Sequence, residues 1–179
     1  MLFEQIANAL TQDGYCVIEH GIPEELSNQL LNQYLNTAND AFHEASTGRG
    51  TLFKQDKKIR SDKIHWIDDE SDAGKYWLNW TSQLMKFVNQ RLFLCLFSFE
   101  SHFAHYAKGD FYKKHLDAFK GKTNRTLSLV TYLNKNWQAD DGGELVIYSP
   151  ETDTPLKSVL PQFGTVVIFL SEEFPHEVL

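Results

Sequence analysis

Near residue 92 the spacing of apolar residues changes from helical to strand-like, and this limits the chain to helices packed on a separate β core. Before that point, apolar residues recur three or four apart. Leu2, Ile6, Ala9 and Leu10 form one such face, and Leu26, Leu30, Leu31, Tyr34, Ala38 and Ala41 a second. Trp77, Trp80, Leu84, Phe87, Val88 and Leu92 form a third. Asp13-Gly14 ends the first helix, and Pro23 followed by Glu24 and Glu25 starts the second, with acids at the positive end of the helix dipole. Tyr15-Cys16-Val17-Ile18 and Lys63-Ile64-His65-Trp66-Ile67 read as short strands among these helices. Glu44 to Lys58, with Thr47-Gly48-Arg49-Gly50 inside it, has no period and reads as a long loop of the kind that serves as a lid, or as a plain connection.

Beyond residue 92, short β-rich runs alternate with turn signals. The runs are Phe97 to Tyr106, Phe111 to Asp117, Thr126 to Leu133, Glu144 to Tyr148 and, as the last clear strand, Thr165 to Leu170. Lys108-Gly109-Asp110 and Asp140-Asp141-Gly142-Gly143 punctuate them. This pattern predicts an α+β chain with an antiparallel sandwich or barrel. Residues 1–92 are mostly helical support, residues 93–179 are the β core, and no linker divides the 179 residues.

Composition removes several functions. With 17 Lys+Arg against 24 Asp+Glu the net charge is -7, so no basic excess exists to neutralise nucleic-acid phosphates. The densest basic stretch, Lys113-Lys114 through Lys120, Lys122 and Arg125, is short and interrupted by Asp117. Leu92 to Phe99 is too short to span a membrane, and Met1-Leu2-Phe3-Glu4-Gln5 is no secretory leader. Cys16 and Cys95 lie in apolar segments and are expected to be buried, reduced thiols, as suits the cytoplasm.

His115-Leu116-Asp117 falls in a run read as strand, where residues two apart share a face. With His176, just past the last clear strand, it can form a two-histidine, one-carboxylate facial triad that leaves open positions on Fe(II). A surface cross-strand pair is the commoner role for His-x-Asp, so the motif alone leaves both roles open. His102 and His105, three apart, would point to opposite faces and make no ligand pair.

The ordered series from His105 onward is more specific. It comprises His105-Tyr106, Gly109-Asp110-Phe111-Tyr112, His115-Leu116-Asp117, Thr131-Tyr132-Leu133-Asn134-Lys135-Asn136-Trp137, Gly142-Gly143-Glu144-Leu145 and Phe174-Pro175-His176-Glu177-Val178. With Ile59-Arg60-Ser61-Asp62-Lys63-Ile64-His65-Trp66-Ile67 upstream, it resembles the 2-oxoglutarate- and Fe(II)-dependent prolyl hydroxylases of the EGL-nine type and their bacterial relatives. The resemblance implies a double-stranded β-helix (jelly-roll) core with N-terminal supporting helices. It implies Fe(II) held by His115, Asp117 and His176, 2-oxoglutarate as co-substrate, ascorbate as an accessory reductant, and a proline-containing protein or peptide as substrate. By position, Tyr132 would help hold the far carboxylate of 2-oxoglutarate, Tyr106 would line the same pocket, and Arg125 would lie near the substrate groove. Leu116, Val130 and Ile168 would shield the reacting centre.

From the residues alone, Tyr106 and Tyr132 also suit a core, and Arg125 suits a solvated strand edge. Proline is selected by the resemblance only. Hydroxylation of another residue or a small molecule, and a non-catalytic β-sandwich module, remain open alternatives. The family also carries an arginine about nine residues after its second histidine, a bidentate partner for the far carboxylate. This chain stops at Leu179, three residues past His176, so the expectation is a truncated sequence that lacks the closing strand.

Overall fold

Helical periodicity is realised where the apolar faces predict it. In the computed structural model, which describes residues 1–45, 58–118 and 125–179, α1 spans Leu2–Gln12, α2 Glu24–Asn36 and α3 Asp72–Leu92. The sequence-predicted lid lies outside the described residues except for its edges Glu44, Ala45 and Lys58, and so do Lys120 and Lys122. Gly14 follows α1 at φ +74, and a Cβ there would sit 2.7 Å from the Phe174 ring, so both backbone and packing require glycine. Ser71 caps α3 by accepting a hydrogen bond from the Gly74 N–H at 2.9 Å. Pro23 takes the cap position of α2, one residue earlier than expected. That helix ends before Ala38 and Ala41, because Thr37 turns the backbone to an extended conformation.

The strands form three antiparallel sheets. β1 (Tyr15–Ile18), β9 (Val166–Leu170) and β6 (Leu127–Thr131) make one, in that order. The second runs β5 (Tyr112–His115), β10 (His176–Val178), β7 (Leu145–Tyr148) and β8 (Pro155–Val159). The third is β2 (His43–Glu44), β3 (Lys63–Trp66) and β4 (His102–His105). β8 and β10 were not anticipated. The run expected from Phe97 is a strand only from His102, which pairs with Trp66, the last residue of β3. Cys95 is exposed, against expectation, while Cys16 is buried.

Alternation along β9 divides the interior in two. Val166 and Ile168 face the helices, packing with Ile6, Leu26, Leu30, Trp77, Trp80 and Val88. Val167 and Phe169 face the second sheet, packing with Leu145, Ile147, Val159 and Phe174. Both faces of β9 are apolar because both are covered. Each fully buried side chain of this size stabilises the fold by about 1.5–3 kcal/mol. Helices, first sheet and second sheet are therefore three successive layers, and the candidate site lies on the second-sheet side.

Candidate metal centre

β5 and β10 are paired with His176 directly opposite His115, which sets the two imidazoles side by side, 4.3 Å between centroids. Asp117 completes the group. His115 Nε2 lies 3.4 Å and His176 Nε2 3.7 Å from its Oδ1, and the ligand atoms of all three residues fall within 4.8 Å of one another. His102 and His105 take no part: His102 meets Trp66 edge-on, and His105 bonds the Tyr34 hydroxyl.

Both imidazoles are oriented by backbone. His115 Nδ1 is 2.7 Å from the carbonyl of Lys113, and His176 Nδ1 is 3.1 Å from that of Phe174. A carbonyl only accepts, so each Nδ1 carries a proton and each Nε2 is the ring atom turned toward Asp117. Burial lowers the His176 pKa, assisted by His115 and opposed by Asp117, which favours the neutral ligand form. Burial pushes the Asp117 carboxyl up, but His115, His176 and the Ser128 hydroxyl outweigh it and hold the group well below the usual carboxylate range. It is ionised.

The cluster fits a metal ion on one further observation. His115 Nε2 is buried and has no hydrogen-bond partner, a cost of about 1–3 kcal/mol that a coordinate bond would remove. Two imidazoles with one carboxylate and no thiolate suit Fe(II).

Around the cluster, the Tyr112 ring stacks on His115, and the Arg60 guanidinium lies 4.2 Å from the centroid of Tyr112. Arg60 is tied to buried Asp62 by two hydrogen bonds of 2.7 and 2.6 Å. These residues reach the site because the chain at 59–61 pairs alongside β5, with Lys113 N–H donating to the Ile59 carbonyl at 2.9 Å. Phe169 packs against His176 at 4.5 Å between centroids. It takes the shielding place expected of Ile168, which faces the helices instead.

Of the other expected residues, Tyr132 follows β6 and joins the second-sheet core, and burial raises its pKa. Tyr106 follows β4. Its pKa is raised by burial and by Asp62, against the opposing charge of Arg60. Arg125 stands outside the cluster, half-exposed and paired with Glu100 at 2.6 Å. Sequence reasoning missed Ser128, Ser171, Arg60, Asp62, Tyr112 and Phe169 as parts of the site. For Tyr112 a signal existed: it lies in the quoted Gly109 to Tyr112 motif, on the same strand as His115.

A cavity of about 730 Å³ opens elsewhere, between the starts of α1 and α2 and the middle of α3, lined by Phe3, Pro23, Trp80 and Phe87. The metal-ligand geometry, not the size of that cavity, identifies the functional site. Among the described residues no helix is long and apolar enough to cross a membrane.

Comparison with known proteins agrees with this geometry. Residues 101–179 match the model of the 2OG-Fe(II) oxygenase superfamily. Egl nine homolog 1 of Homo sapiens is 26% identical over 99% of this chain, which spans 43% of that protein's length. Among solved structures, a prolyl hydroxylase from Trichoplax adhaerens, in complex with a hypoxia inducible factor oxygen degradation domain peptide fragment, superposes with a TM-score of 0.85. It is 28% identical over 99% of this chain and 82% of its own. A Pseudomonas putida prolyl-4-hydroxylase reaches a TM-score of 0.88 and 35% identity, over 100% of this chain and 91% of that one. With that likeness running nearly the full length of both molecules, the chain belongs to the 2OG-Fe(II) oxygenase superfamily, whose chemistry depends on Fe(II) and 2-oxoglutarate.

Proposed function

We propose that this protein is an Fe(II)- and 2-oxoglutarate-dependent dioxygenase that hydroxylates a prolyl residue in a protein or peptide, with His115, Asp117 and His176 as the iron ligands. The observation that carries this reading is the unpartnered, buried Nε2 of His115, set beside His176 Nε2 and facing an ionised Asp117. Proline as the target is supported by the likeness to the Pseudomonas putida and Trichoplax adhaerens prolyl hydroxylases. Bound iron and 2-oxoglutarate supply oxidative decarboxylation of the keto acid and insertion of oxygen into a C–H bond.

The protein's own groups supply orientation and dryness. The Nδ1–H bonds to backbone hold both imidazoles in the ligating tautomer. Tyr132 and Tyr106, whose hydroxyls burial keeps protonated, serve as neutral donors toward 2-oxoglutarate. Phe169 and Val130 exclude water, and Arg125 meets substrate at the rim. Ascorbate as accessory reductant rests on the family likeness alone. The facing sheets are read as a double-stranded β-helix, within one oxygenase domain over residues 1–179. The free thiols of Cys16 and Cys95 suit the cytoplasm.

The test incubates the protein with Fe(II), 2-oxoglutarate and a panel of proline-containing peptides, measuring succinate and peptide mass. The expected result is a gain of one oxygen on proline, dependent on 2-oxoglutarate and lost in His115→Ala. Succinate formed with oxygen placed on another residue would overturn the prolyl assignment. No succinate with any peptide, and no metal uptake by the parent, would overturn the oxygenase assignment.

A further inference from the structure

Asp117 does not lie on a strand. β5 ends at His115, so no ladder fixes the carboxylate that completes the candidate metal site. Two contacts to other elements fix it instead. The Ala118 N–H donates to the Ser171 carbonyl at 3.3 Å, and the Ser128 hydroxyl, from β6, meets Asp117 Oδ2 at 2.5 Å. Ser171 is wholly buried and is itself held by its N–H, which donates to the Thr126 carbonyl at 3.0 Å.

The direction of the protons follows from the chemistry of the groups. The Ser128 hydroxyl is the donor in this contact and Asp117 Oδ2 the acceptor, as a ligating carboxylate requires. The Ser128 oxygen can then accept, and Ser171 Oγ, 2.8 Å away, is the donor to it. The chain of donation therefore runs from Ser171 to Ser128 to Asp117. Its terminus is Oδ2 alone, while Oδ1 is the oxygen that faces both histidines.

We infer that Ser128, backed by Ser171, is a positioning residue that restricts Asp117 to ligation through a single oxygen. A carboxylate free to turn both oxygens to the ion would take up a coordination position that co-substrate needs. This inference rests on the metal-ligand reading of Asp117. It adds two hydroxyls from β6 and from the end of β9 to a site otherwise built from β5 and β10.

The test titrates the full chain anaerobically with Fe(II), and with Co(II), whose visible spectrum reports coordination number, each with and without 2-oxoglutarate. Ser128→Ala is expected to weaken metal affinity about 10- to 100-fold and to change the Co(II) spectrum. Ser128→Thr, which restores the hydroxyl, is expected to return both to the parent values. Ser171→Ala should shift them the same way by less, and stands in should Ser128→Ala fail to fold. A merely structural role would lower the metal-free melting temperature and leave the Co(II) spectrum of the loaded protein unchanged. Parent-like affinity and spectrum in Ser128→Ala would overturn the inference, as would failure of Ser128→Thr to restore them. Metal affinity in His115→Ala equal to the parent's would instead overturn the ligand assignment beneath it.

Discussion

The ring of Tyr112 lies flat on the imidazole of His115, with centroids 3.5 Å apart and planes inclined by 15°. Tyr112 is in turn covered by Arg60, so a guanidinium, a phenol and a candidate metal ligand form one column. Such ring contacts contribute about 0.5–1.5 kcal/mol beyond area burial. Tyr112→Ala is therefore expected to weaken Fe(II) binding about twofold to tenfold. Tyr112→Phe should keep parent affinity, and metal titration of the two variants separates stacking from the hydroxyl.

Arg60 and Asp62 make a second prediction. Asp62 has a fully buried side chain and Arg60 is its bidentate partner. Removing one partner leaves a buried charge uncompensated, so Arg60→Leu should destabilise the fold by about 3–5 kcal/mol. Replacing both residues with leucine should recover much of that loss. Urea denaturation of the two singles and the double gives the coupling, and additive losses would contradict it.

Among the described residues Phe169 is the largest of the fully buried side chains, and it touches His176. Phe169→Ala should cost about 3–5 kcal/mol by leaving a cavity between the sheets. Phe169→Leu should cost less. Denaturant midpoints at unchanged m-value report the difference.

The two thiols should behave oppositely. Cys95 is exposed and should react with a thiol reagent in the folded protein, whereas Cys16 should react only on unfolding. Burial pushes the Cys16 thiol up from 9.0 to about 11, partly offset by a hydrogen bond with the Ile168 backbone. Its folded pKa lies above its unfolded one, so its contribution is complete below pH 9 and is lost as pH rises through about 11. Cys16→Ala should flatten the fall in stability across that window, as measured by urea denaturation at stepped pH.

The residue types of the site were legible because they are chemically unusual together, and His115, Asp117 and His176 do converge. The manner of convergence was not legible. Asp117 meets His115 through a turn held by Ser128, 11 residues from Asp117, and by Ser171, 43 residues beyond Ser128, contacts that no local period encodes. β10 was invisible because three residues cannot display alternation, and its strand character comes from partners on both sides. β8 was missed because Pro155–Val159 is largely exposed and lacks an apolar face. Ile168 and Phe169 are equally apolar, so only knowledge of which layer the helices cover decides which of them reaches the site.

β10 is bonded along both edges, to β5 on one side and β7 on the other, and it carries His176 into the cluster. An ion gripped by His115 and His176 would cross-link neighbouring strands of a sheet that is already zipped together. The ladder fixes how far apart the two imidazoles stand before any ion arrives, so uptake should demand little reordering of the backbone.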